Sequence, residues 1–395
     1  VTPSDLARHY SRFRVTERVL LTGHSHQAWP DVGYEAQQRA WLDAAELVDD
    51  KWERAAEVAD EVRAGWRRLL NDDDGDIALG QNTHELVVRF LSAVLDCSPR
   101  LRSPEARRAR VVTTDGEFHT IRRQLDRLAE AGVDVIKVAA QPVDTLSERL
   151  ALTIDDRVAC VLVSSVLFET SEIVSDLAHL ARTCERVGTH LLVDAYHHLN
   201  VVPFDLDRMG LAPAFVVGGG YKYCQLGEGN CFLRVPPGCA LRPVITGWFS
   251  EFSELARDKV PGYVGYGDGA ARFAGATYDP TAHYRAAAVF RFHDSMGLTP
   301  SRLRAISRHQ TTLLENAIRS LDLDPTRAAI LDVSPERRGG FLAMRTSDAE
   351  NVVRRCRAAD VWVDARGTLL RLGPAPYVSD GQLHQAVGLI QQLLL

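Results

Sequence analysis

Residues 214–230, AFVVGGGYKYCQLGEGN, pass from an apolar strand directly into a glycine-rich turn that carries one lysine, Lys222. Lysine is scarce in this chain. Of 46 Lys+Arg, only four are lysines: Lys51, Lys137, Lys222 and Lys259. Where arginine supplies almost every positive charge, a lysine at the end of a core strand calls for a chemical reason. Arginine cannot give up its proton to become a nucleophile, whereas a desolvated lysine can. In parallel α/β sheets, ligands gather outside the carboxyl ends of the strands, which is where this lysine falls.

Working outward, apolar strand signals at 77–79, 110–113, 133–139, 158–166, 190–195 and 214–219 alternate with helical periodicity at 41–70, 85–95, 121–132 and 175–188. Such alternation predicts βαβ units and a mostly parallel sheet covered on both faces. After about residue 285 the pattern becomes helix, helix, short strands and a final helix from 380, an α+β segment. The expected organisation is an N-terminal segment, 1–40, packing with a small C-terminal domain, 286–395, and a large ligand-binding domain, 41–285.

The composition narrows the class of protein. The chain has 395 residues, 46% hydrophobic and 25% charged, with a net charge of −6. That balance gives no reason to expect nucleic-acid or anionic-membrane partners. The opening VTPSDLARHYSRFRV lacks the apolar stretch of a secretion signal, and no uncharged apolar run approaches the roughly 18 residues of a membrane span. Seven scattered cysteines without CxxC spacing read as reduced thiols of a cytoplasmic protein. No metal-ligand pattern is present, and no metal is expected.

Three further features sit at ends of elements. Asp194 closes the strand HLLVDA, where an unpaired carboxylate costs several kcal/mol, so it caps the following turn or holds a ligand. His197 lies three residues on. Asn82-Thr83-His84 opens the helix at 85–95; a helix start offers free N–H groups to phosphate, or simply an N-cap.

A helix start near 83, an acid at 194 and a lysine at 222, in that order, resemble the fold-type I pyridoxal 5′-phosphate (PLP) enzymes, and specifically their class V branch. Within that branch the chain resembles kynureninase over almost its whole length. The segments that carry the likeness are VDAYHHLNVVPFDL (193–206), GGGYKYCQLGEG (218–229), GWF (247–249) and RFAGATYDP (272–280). DGEFHT (115–120) and LLRLGPAPY (369–377) are looser matches.

The resemblance implies a fold-type I large domain, a smaller α+β C-terminal domain and a homodimer with its active site at the subunit interface. It implies Lys222 as the Schiff-base lysine and Asp194 on the pyridinium nitrogen. Phe118 and His197 would lie against the ring. Asn82, Thr83 and Tyr221 would meet the phosphate, as would Thr277 from the neighbouring subunit, with Trp248 nearby. Arg371 would bind the substrate carboxylate, with Tyr377, His24 and His26 lining the substrate pocket. The implied reaction is hydrolytic Cβ–Cγ cleavage of L-kynurenine or 3-hydroxykynurenine to an anthranilate and L-alanine.

The chain also departs from that family. Its "GNSLG" is GHSHQ at 23–27, the tyrosine of "VNYxTG" is Phe168, the acid soon after the stacking aromatic is missing, and "GGPG" is LGEG, bringing in Glu228. Other class V reactions therefore stay open: a cysteine-independent C–S lyase, an epimerase, an aminotransferase. A cysteine-dependent desulfurase fits poorly, since Asp364-Ala365-Arg366-Gly367 runs into Thr368 and Leu369 with no cysteine. A PLP-binding protein without turnover is a third reading.

Overall fold

The computed structural model describes residues 2–96, 110–255 and 260–394. Seven strands form the central sheet: β1 (Asp76–Gly80), β2 (Arg110–Thr114), β3 (Asp134–Val138), β4 (Val158–Ser164), β5 (His190–Asp194), β6 (Phe215–Gly219) and β7 (Cys231–Val235). Their order is β1-β7-β6-β5-β4-β2-β3. All neighbours are parallel except β7, which runs against both β1 and β6. Strand β7 is additional to the strands expected from the sequence. It follows the lysine turn so closely that CFLRV reads as the tail of the loop.

Side chains of a strand alternate between faces, and here both faces are apolar. Val161, Val163, Leu191, Val193 and Val216 point to one core; Cys160, Leu162, Leu192, Phe215 and Val217 point to the other. Helices cover each face. On the first lie α1 (Val32–Leu47), α2 (Lys51–Leu70), α5 (Leu177–Val187) and α6 (Thr281–Ser295); on the second lie α3 (Thr83–Asp96) and α4 (His119–Glu130). The single helix expected over 41–70 is two helices. Val48 takes φ 53°, ψ −108°, and the chain restarts at Lys51. The apolar stripe of α2 (Val58, Val62, Trp66, Leu69) is buried, and Gly65 lets α6 come so close that a Cβ there would sit 2.3 Å from the Phe290 ring.

A second core gathers residues 6–28 with the C-terminal part of the chain. Four antiparallel strands, β8 (Ala328–Ile330), β9 (Leu342–Thr346), β10 (Asp364–Arg366) and β11 (Leu369–Leu372), lie in the order β10-β11-β9-β8. They pack with α7 (Pro300–Arg319), α8 (Ala349–Ala358) and α9 (Asp380–Leu394). Val19–Leu20 pairs in parallel with Val361–Trp362, and Thr22 bridges to Gly373. Helix α6 contributes Phe290 to the first core and Phe292 to the second, so it crosses position 285/286 as a continuous element. Among the described residues, no helix is long and apolar enough to cross a membrane.

Candidate active site

At the carboxyl ends of the parallel strands lies a cavity of about 250 Å³. Four connections build it. The β1–α3 turn brings Asn82 and Thr83, the β2–α4 turn Phe118, the turn after β5 Asp194 and His197, and the β6–β7 turn Tyr221 and Lys222. These residues are up to 140 positions apart in sequence (82 to 222) and meet because strand ends of one sheet share an edge.

Lys222 is 4% exposed, and its Nζ lies 2.6 Å from His197 Nε2. Burial disfavours the ammonium and brings its pKa down to about 7, against the opposing pull of the Asp194 charge. A large share is therefore free amine at neutral pH. Of the other described lysines, Lys137 is paired with Asp126 and Lys51 lies over Trp52, both toward solvent. The fourth, Lys259, lies outside the described residues.

Asp194 ends β5 with its Oδ1 accepting the Tyr196 N–H at 2.8 Å. Burial raises its carboxyl above the ordinary range, and Lys222 pulls the other way. His197 is held neutral, first by burial and then by Lys222. Its Nδ1 is buried without a protein partner, an unmet hydrogen-bonding demand in the cavity wall. Phe118 stands at the start of α4, edge-on to Phe168 at 5.3 Å, with Lys222 Nζ 5.1 Å from its ring. Asn82 Oδ1 caps α3 by accepting the Glu85 N–H at 2.9 Å, so this helix start is both a cap and a cavity wall.

Two acids important to the geometry escaped the sequence reading. Glu117, 2% exposed, accepts from Thr114 Oγ1 (2.7 Å), Ser164 Oγ (2.6 Å) and Ser164 N (3.1 Å). It thereby ties the turn bearing Phe118 to the end of β4, whose Ser164 is the register partner of Asp194. Burial pushes it up to about 7 against the Ser164 and Thr114 hydrogen bonds. Its signal in the sequence is an acid immediately before Phe118, three residues beyond the end of β2. Asp364, the second, holds Arg371 and His24, as described below.

The remaining expectations divide. Arg371 is 2% exposed beneath the cavity rather than in its wall, with Nε and Nη2 donating to Asp364 at 3.0 and 2.5 Å and Nη1 to the Phe168 carbonyl at 2.5 Å. His24 is likewise buried against Asp364 and Phe341, away from the cavity wall. Tyr377 does not line the site: its hydroxyl accepts the Ala28 N–H at 3.1 Å and its ring packs on Tyr10 in the second core. An aromatic at that point serves packing, which the motif alone does not reveal. His26 lies at the mouth, 65% exposed, stacked on Tyr221 at 4.9 Å and 3.5 Å from Glu228. Trp248 and Thr277 touch each other, Nε1 to Oγ1 at 3.3 Å, on the outer surface and outside the cavity. Trp248 belongs to an exposed aromatic cluster with Phe249 and Phe252, which draws it away from the lysine of its own chain.

These residues fit PLP. The cavity offers a desolvated amine, a carboxylate for a ring nitrogen, an aromatic face in Phe118, an unsatisfied imidazole nitrogen and a helix start for phosphate.

Comparison with known proteins agrees. The family model for the kynureninase C-terminal domain matches residues 303–390. The Bacillus subtilis (strain 168) protein described as "uncharacterized aminotransferase YcbU" is 23% identical over 344 residues, 85% of this chain and 84% of that protein. Apo cysteine desulfurase from Thermococcus onnurineus NA1 superposes with a TM-score of 0.82 at 15% identity, covering 100% of this chain and 98% of that one. A lysine-to-alanine variant of C-DES, solved with glycine covalently linked to its PLP cofactor, gives 0.80 at 15% identity over 97% and 98%.

Proposed function

We propose that this chain, which has the class V, fold-type I architecture and a kynureninase-type C-terminal domain, is a PLP enzyme that cleaves L-kynurenine or 3-hydroxykynurenine hydrolytically between Cβ and Cγ. The products are an anthranilate and L-alanine. The observation that carries the reading is the match of residues 303–390 to the kynureninase domain, because that segment supplies Asp364 and Arg371 beneath the cavity.

Bound PLP supplies an electron sink for bonds at the amino acid's Cα and Cβ. The protein's own groups then have distinct tasks. Asn82, Thr83 and the α3 N-terminus receive the phosphate, with Tyr221 beside them. Asp194 keeps a proton on the ring nitrogen, and Phe118 gives the ring an apolar face. Lys222, poised near neutrality and 2.6 Å from His197, takes the α-proton and returns it, a task suited to a base whose pKa lies close to the working pH. Arg371, behind the Phe168 part of the cavity wall, is the group assigned to the α-carboxylate. Phe118 and Phe168 together give the cavity an apolar wall.

A second reading is a cysteine-independent C–S lyase or an aminotransferase on the same scaffold, in keeping with the cystine C–S lyase and the uncharacterized aminotransferase that share this architecture. A persulfide-forming desulfurase gains no support from the described cysteines. Cys231, which lines the cavity, is buried and its thiol is pushed up to about 12, so it is no nucleophile; Cys97 lies outside the described residues.

The test is turnover of L-kynurenine and 3-hydroxykynurenine by the PLP-loaded protein, with anthranilate fluorescence as readout and Lys222→Ala as control. Anthranilate release that disappears in the variant is the expected result. Absence of product, with spectral changes on adding other amino acids, would move the assignment to the second reading.

A further inference from the structure

We infer that Asp364, buttressed by His24, is a positioning residue that sets the Arg371 guanidinium for the substrate's α-carboxylate; the inference rests on the amino-acid-cleaving reading above.

The Asp364 carboxylate is fully engaged. Oδ1 accepts from His24 Nε2 at 2.6 Å and from Arg371 Nε at 3.0 Å, while Oδ2 accepts from Arg371 Nη2 at 2.5 Å with Arg366 Nη1 3.5 Å away. His24 is completely buried and neutral, so its Nε2–H is the donor, and a neutral donor adds a hydrogen bond without competing with Arg371 as a second full charge.

The side-on pair takes one edge of the guanidinium. Arg371 has five N–H groups; Asp364 takes those on Nε and Nη2, and the Phe168 carbonyl takes one on Nη1. Two N–H groups remain, one on each terminal nitrogen, enough for a carboxylate to be held by two hydrogen bonds. The Phe168 carbonyl belongs to a residue of the cavity wall, so the guanidinium lies directly behind that wall.

Delivering His24 takes dedicated architecture. The N-terminal segment hooks onto the second domain through Gly373 N to Leu21 O at 2.7 Å and Gly23 N to Gly373 O at 2.8 Å. Gly373 has no side chain because a Cβ there would lie 2.2 Å from His24 Nδ1. Residues 340 positions apart are thus brought together at the back of the arginine.

The test uses holoenzyme and two probes that differ only in the carboxylate: L-alanine and L-alaninamide, titrated by the cofactor's absorbance. Asp364→Asn should weaken L-alanine by roughly thirtyfold or more, the order expected for stripping one partner from a buried charge pair, and leave L-alaninamide within about threefold. His24→Gln, which keeps a donor, should retain most of the preference, whereas His24→Ala should lose part of it. Arg371→Lys should abolish the preference, and Asp364→Asn combined with it should add little. An unchanged preference in Asp364→Asn, with its loss in Arg371→Lys, would overturn the role of Asp364. A preference unaffected by Arg371→Lys would overturn the carboxylate site itself. Kynurenine turnover plays no part in either outcome, so failure of the substrate assignment is separately visible. A thermal melt of each holoenzyme separates a folding defect, and Asp364→Glu, which keeps the charge but displaces it, should give an intermediate preference.

Discussion

His197 Nε2 and Lys222 Nζ lie 2.6 Å apart in a buried part of the cavity wall, a contact that two cations would not sustain. Both groups are held toward their neutral forms, the lysine near 7 and the histidine well below its ordinary value, each chiefly by burial. The first prediction follows from that pairing. Capture of PLP by cofactor-free protein, followed by absorbance, should accelerate as pH rises through about 7, where the free amine appears, and level off above it. His197→Phe should shift that midpoint, while a profile rising only near 10 would show an ordinary lysine.

Glu117 makes a prediction of opposite sign from a charge-paired carboxylate such as Asp364, which is lowered. Its pKa in the folded protein is raised to about 7 from an ordinary 4.5. Between those values the unfolded chain loses the proton while the folded one keeps it, so stability falls as pH rises. Glu117→Gln preserves the hydrogen bonding and removes the titration. Its stability relative to the parent should therefore climb between pH 4.5 and 7, by up to about 1.4 kcal/mol per pH unit. Glu117→Ala strands the Ser164 and Thr114 groups and should cost about 1–3 kcal/mol at any pH. Urea unfolding at several pH values checks both.

Four buried histidines set the acid limit. His24, His198, His283 and His293 are each lowered from 6.5 to about 4, mainly by burial. Below pH 6.5 the unfolded state binds protons that the folded state refuses, so stability should decline steadily from pH 6.5 to 4, each histidine adding up to about 1.4 kcal/mol per unit. The melting temperature of His293→Gln should fall less steeply over this range than that of the parent. Parallel curves would contradict the assignment.

Gly65→Ala tests the packing of the helix that joins the two cores. Alanine ordinarily favours a helix interior by about 1 kcal/mol. Here its Cβ would meet the Phe290 ring at 2.3 Å, so the substitution should instead destabilise by roughly 1–3 kcal/mol. Pairing it with Phe290→Leu should recover part of the loss in urea unfolding.

The sheet was readable because its strands are apolar on both faces and punctuated by turns, and Lys222 stood out because lysine is so rare here. The break between α1 and α2 was not, since the helical periodicity on either side of Val48 continues in phase while its backbone does not. Strand β7 lay hidden behind the glycine turn. Glu117 and Asp364 are ordinary acids in their local sequence; what makes them unusual is the set of partners brought to them, Ser164 from 47 residues away and His24 from 340. Tyr377 shows the reverse case, a motif residue whose surroundings turn it into core. Local patterns report elements well, but the environment of a buried polar group is made by distant chain, and only the folded structure displays it.

The most direct test of the account is to find where PLP is attached. The loaded protein would be reduced with borohydride, digested and mapped by mass spectrometry. The pyridoxyl group is expected on the peptide containing Lys222 and on no other lysine, and it should vanish in Lys222→Ala. Modification centred on Lys51, Lys137 or Lys259, or none at all in protein that remains folded, would contradict the assignment of this cavity as the cofactor site.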